Sequence, residues 1–86
     1  MKNNLKVERA KKDITQAKLA EIIDVSRQTV NAIEKGRYVP STVLALKMSE
    51  YFGVPVNELF TLEENDWTMK TFNEFLYLFN NEWDFK

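Results

Sequence analysis

Residues 15–36 read TQAKLAEIIDVSRQTVNAIEKG, and this stretch decides the fold. Thr15 offers a side-chain oxygen to the unpaired N–H groups of a helix start, and Leu19, Ile22 and Ile23 then form an apolar stripe along Gln16 to Ile23. Asp24 interrupts that helix. Ser26 is a second cap, opening a short helix from Arg27 to Lys35 that Gly36 closes. The two helices are separated by a turn of only three residues, Asp24, Val25 and Ser26, which forces them into a close, angled pair. Ala20 is small where the helices must cross, and Val30 and Ile33, three residues apart, form the inner face of the second. Asp24 occupies a turn position that often needs left-handed backbone, which Asp tolerates better than most non-glycine residues, while Val25 plugs the turn into the core.

Outward from this pair, Asn4 to Lys12 has good helix formers and no breaker, and Leu5 and Arg9 share a face. Arg37-Tyr38-Val39-Pro40 is an extended link, because the residue before a proline is pushed out of helical geometry. Ser41 then caps a helix from about Thr42 to Phe52, stopped by Gly53, and Val56 to Phe60 makes a last short turn bringing Leu59 and Phe60 to the core. In the fourth helix Ala45, Ser49 and Phe52 suit the core, and Leu44, Met48 and Tyr51 make a second stripe that a partner subunit or the C-terminal tail should cover. Five short helices fit in sixty residues, and no strand-period alternation or repeat accompanies them. The expectation is an all-α domain.

With Val30 and Ile33 inside, the third helix turns Arg27, Gln28, Thr29, Asn31 and Ala32 outward. These side chains suit the edges of base pairs. Arg pairs bidentately with guanine, Gln and Asn with adenine, and the Thr methyl meets a thymine methyl. Arg27, Gln28, Thr29 and Asn31 are therefore the candidate base contacts. Gln16 is a candidate for a phosphate through its amide and the free N–H groups of its helix start, with Lys35, Arg37 and Tyr38 flanking the groove. Arg9 and Glu34 read instead as an internal ion pair belonging to the scaffold. Lys2, Lys6, Lys11, Lys12, Lys18 and Lys47 read as ordinary solvated charge.

Residues 4–60 resemble the Cro and phage-repressor helix-turn-helix family, also called the Xre family. The resemblance rests on Thr15-Gln16, Leu19-Ala20, Val25 to Val30, Ile33 to Gly36, Pro40-Ser41 and Phe52-Gly53-Val54, with Asp24 where many members have glycine. It implies a lambda-repressor-like, five-helix DNA-binding domain over residues 1–66, working as a two-fold homodimer on operator DNA. Base contacts would come from Arg27, Gln28 and Asn31, and a backbone contact from Gln16. Regulation by covering a promoter, most often as a repressor, is what the family leads one to expect.

Composition agrees with that reading and excludes others. The chain of 86 residues has no Cys and no His, which removes disulfides, thiolate or imidazole metal sites and His or Cys catalysis. No phosphate loop or paired carboxylates suggest an enzyme, and no cofactor is expected. No signal-peptide run or stretch of roughly 20 apolar residues appears, so the expected location is cytoplasmic. The net charge of −1 hides an asymmetry: residues 1–60 hold ten Lys and Arg against seven Asp and Glu, residues 61–86 only two against six. Within residues 67–86, Met69, Phe72, Leu76, Phe79 and Trp83 recur at helical spacing, with Phe75 widening the face. An amphipathic helix there would fold back on its domain, join two subunits, or bind another protein in the manner of an antitoxin whose DNA binding is autoregulatory.

Overall fold

The computed structural model describes residues 1–67. Its elements are β1 (Lys2–Asn3), α1 (Leu5–Lys12), α2 (Gln16–Ile23), α3 (Arg27–Glu34), α4 (Thr42–Phe52), α5 (Val56–Leu59), β2 (Phe60–Thr61) and α6 (Glu64–Trp67). The all-α expectation holds, and α2, α3 and α4 begin where their caps place them. The C-terminal amphipathic helix expected over residues 67–86 lies beyond the described residues except at Trp67.

Local chemistry accounts for the helix ends. Thr15, Ser26 and Ser41 each stand in extended backbone and accept, through the side-chain oxygen, from the N–H groups of Lys18, Thr29 and Leu44. Each satisfies one of the donors a helix start leaves unpaired. At the other ends, Asp24 has φ 60° and Gly36 φ 74°, left-handed conformations that terminate a helix. Val25 N–H donates to the Ala20 carbonyl at 2.9 Å and Arg37 N–H to the Ala32 carbonyl at 2.9 Å, closing α2 and α3. Asp13 is left-handed too, with φ 53°, so aspartate ends α1 as it ends α2. Lys47 Nζ donates to the Ile23 carbonyl at 3.4 Å, placing a cation at the negative end of α2.

The core is one cluster: Leu5 from α1, Leu19, Ala20 and Ile23 from α2, Val30 and Ile33 from α3, Leu44, Met48 and Phe52 from α4, then Leu59 and Phe60. Ala20, Val30 and Ile33 take their expected places. Ile22 does not, being 38% exposed beside the buried Ile23. The phase of α4 also differs from expectation. Leu44 and Met48, read as a stripe awaiting a cover, are buried in the domain core with Phe52, whereas Ala45, Ser49 and Tyr51 are half-buried. The apolar side chains that α4 leaves in solvent are Val43 and Leu46. This helix is apolar on nearly every side, so its rotation is chosen by what it packs against and not by its own pattern.

Met48→Ala is therefore expected to cost about 3 kcal/mol, the usual loss for emptying a fully buried site, and Leu46→Ala less than about 0.5 kcal/mol. Urea denaturation of the two variants checks the phase. Equal losses would contradict it.

A two-residue antiparallel ladder, with Lys2 opposite Thr61 and Asn3 opposite Phe60, was not legible as a period. It ties both ends of the domain together. Asn4 N–H donates to the Leu59 carbonyl at 2.9 Å, and Asn3 Nδ2 reaches the Ile33 carbonyl of α3 at 2.8 Å. The Met1 amine meets Glu63 at 2.8 Å and Asp66 at 3.2 Å, and these carboxylates raise its pKa by hydrogen bonding. No helix among the described residues is long and apolar enough to cross a membrane.

Candidate nucleic-acid interface

Helix α3 lies with Val30 and Ile33 in the core and both its ends secured, so its remaining side chains stand on a fixed platform. Arg27 and Gln28 are exposed and have no hydrogen-bond or ion-pair partner among the described residues. Their guanidinium and amide are uncommitted. Thr29 is half-buried, and its hydroxyl lies 2.9 Å from that of Ser26. What remains for a ligand from Thr29 is chiefly its methyl. Asn31 is half-buried as well, with Oδ1 accepting from Gln16 Nε2 at 3.3 Å. Ala32, between these positions, is half-buried and adds no polar group.

Gln16 stands at the first position of α2, as expected, but its amide faces inward. Nε2 donates to Asn31 Oδ1 and, at 3.2 Å, to Glu34 Oε1, which uses both of its hydrogens. A phosphate at this helix start would therefore meet backbone N–H groups and not the Gln16 side-chain donor. Lys6, read from sequence as ordinary solvated charge, lines the same polar hollow as Gln16, Asn31 and Lys35. The Arg9–Glu34 contact joins α1 to α3 and brings Lys6 there, a placement that no local signal announces. Lys35, Arg37 and Tyr38 are all exposed, and Tyr38 also lines a groove with Thr29, Ser41 and Lys47.

The ion pair read from the sequence lines the same hollow. Arg9 Nε meets Glu34 Oε2 at 2.6 Å and Nη2 meets Oε1 at 3.0 Å, a two-pronged contact, while Nη1 donates to the Ile14 carbonyl at 2.9 Å. Both side chains are nearly buried, Glu34 at 7% exposure. Burial alone would raise the Glu34 pKa, but the hydrogen bonds from Arg9 and Gln16 and the nearby charges of Arg9 and Lys6 together outweigh it and hold the carboxyl below its ordinary value. The same contact raises the Arg9 pKa, against a smaller opposing effect of burial. No buried side-chain polar atom among the described residues lacks a partner, and no acidic cluster there could hold a metal ion.

The arrangement is a short helix presented by a rigid base, with uncommitted planar donors on its face and cations beside it. A helix-turn-helix family model matches residues 5–59. Among curated proteins, one named an uncharacterized HTH-type transcriptional regulator from Methanocaldococcus jannaschii is 48% identical over 66 residues, covering 77% of this chain and all of the relative. A second, from Bacillus subtilis, is 50% identical over 66 residues with the same coverage of both chains. A third, from Archaeoglobus fulgidus, is 36% identical over 66 residues, covering 77% of this chain and 93% of the relative. With the family model spanning more than half of the chain and two relatives matched end to end, this protein belongs to the helix-turn-helix family of transcriptional regulators.

Proposed function

We propose that the chain binds duplex DNA at a specific sequence, with α3 in the major groove, and regulates transcription by occupying that site. The observation that carries this reading is the pair Arg27 and Gln28, exposed and unpartnered among the described residues on a helix whose opposite face is core. Planar donors held in that way match the base edges of the major groove. Thr29 and Asn31 complete the reading face in this proposal. The start of α2 at Gln16, together with Lys35, Arg37 and Tyr38, positions the helix by contacts to phosphates, which fix register without carrying sequence. The excess of basic residues in the first sixty supports the same partner.

The working unit in this reading is a homodimer on a roughly palindromic site, its two α3 helices one DNA turn apart. Val39, Val43 and Leu46, each more than half exposed, leave apolar surface of the kind that subunit contacts cover. Repression by covering a promoter is the proposed outcome of binding.

Selection from a library of randomised duplexes tests the reading. The expected result is a single enriched motif with two-fold symmetry, bound with an affinity that falls steeply as salt rises. Enrichment of no motif would overturn sequence-specific binding. Sedimentation of the full chain tests the assembly. A monomer, both alone and on the selected duplex, would overturn the dimer.

A further inference from the structure

Asn31 is tied to the part-buried ion pair through Gln16, and the chemistry of the chain of contacts sets the direction of every bond in it. Arg9 has only donors, so the Glu34 oxygens it touches at 2.6 and 3.0 Å are acceptors. Glu34 Oε1 also faces the Gln16 amide at 3.2 Å, and a carboxylate only accepts, so the Gln16 atom facing it is the nitrogen Nε2. That same nitrogen lies 3.3 Å from the Asn31 amide, so the Asn31 atom facing it is the oxygen Oδ1. An amide's oxygen and nitrogen are nearly interchangeable in shape, and partners alone decide which way it points. Here the decision starts at a charge. The Nδ2 group of Asn31 is left with no partner among the described residues.

We infer that the relay from Arg9 through Glu34 and Gln16 locks Asn31 with its donor group available to DNA, making Gln16 a positioning residue that sets base preference. This rests on the major-groove reading proposed above. A donor-presenting Asn31 favours a base whose edge offers an acceptor, a purine N7, guanine O6 or thymine O4, and disfavours cytosine, whose edge offers the N4 donor. An Asn31 free to turn over would accept from cytosine equally well. The lock, and not the asparagine alone, supplies the discrimination.

The experiment is duplex selection from a random library with the full chain, Gln16→Met, Asn31→Ala and Arg27→Ala, each first shown by circular dichroism to be folded. Methionine keeps the length of Gln16 and removes its donors. The expected result is that Asn31→Ala erases preference at one base pair of each half-site. Gln16→Met should relax that same pair, cutting the discrimination against cytosine about tenfold, the scale of one good base contact. A backbone role for Gln16 would lower affinity uniformly and leave the profile intact. Three results would overturn the relay: an unchanged profile in Gln16→Met when Asn31→Ala alters it, an unchanged profile in Asn31→Ala, or enrichment of cytosine opposite Asn31 in the unmodified chain. If Arg27→Ala still changes the motif in the second case, major-groove reading stands and only the relay falls. If no variant changes it, both fall together.

Discussion

Arg9→Met is expected to lower the unfolding free energy by about 2–3 kcal/mol, the loss usual when a charged hydrogen-bonding group at a part-buried site is left without its partner. The carboxylate it abandons is the reason. Glu34 is 7% exposed and would keep the Gln16 amide at 3.2 Å as its remaining hydrogen-bond donor, while the Ile14 carbonyl would lose its bond from Nη1. In a domain of this size each kcal/mol moves the melting temperature by roughly 4–8 °C, so a fall of roughly 10–20 °C is expected. Calorimetry of the variant measures it. A melting point within a few degrees of the parent would mean that the pair is solvated and holds nothing. The double variant Arg9→Met with Glu34→Leu should recover only part of the loss, because the stranded charge is removed but the Ile14 carbonyl and the Gln16 amide each lose a partner.

The pair also fixes an acid limit, with a sign that follows from Glu34. Its carboxyl is held below the ordinary value of 4.5, so the folded state favours the ionised form. The stabilisation is complete above that unfolded value and is lost as pH falls through the lower folded one. Denaturant titrations from neutral pH down to about pH 3 should show this decline in the parent and a flatter profile in Glu34→Gln, which begins less stable. A parallel decline in both proteins would assign the acid sensitivity to other carboxylates.

Much of this architecture was legible because the signals are local. Thr15, Ser26 and Ser41 cap their helices by chemistry that reaches only three residues ahead, and Asp24 marks its turn by its own backbone tolerance. The Arg9–Glu34 pair was legible for another reason: a charged side chain on an inward helical face needs a partner, and few candidates exist. What escaped depends on placement across the chain. The rotation of α4 could not be read because Leu44, Leu46, Met48 and Val43 are equally apolar, and only packing against the other helices selects among them. The β1–β2 ladder joins residues almost sixty positions apart with two residues per strand, too few to show a period. At the candidate site Arg27 and Gln28 stand exposed as expected, but the inward turn of the Gln16 amide was invisible. Its partners, Asn31 and Glu34, are fifteen and eighteen residues away on another helix.

Arg27→Ala should weaken binding to the selected duplex roughly a hundredfold, because the homodimer proposed above would make this pairing in both half-sites and each bidentate pair is worth about 1–3 kcal/mol. Folding should be untouched, since Arg27 is exposed and unpartnered among the described residues. Gln28→Ala should act similarly and alter a neighbouring base pair. Lys35→Ala and Arg37→Ala provide the contrast. Removing a cation from a phosphate weakens all sequences alike and lowers the slope of affinity against salt by about one for each phosphate no longer neutralised. Titrations of each variant against the selected duplex and a scrambled one, at two salt concentrations, separate the classes. If Arg27→Ala weakened both duplexes equally and changed the salt slope, Arg27 would belong with the phosphate-binding residues, and the start of α3 would lie along the backbone and not in the groove.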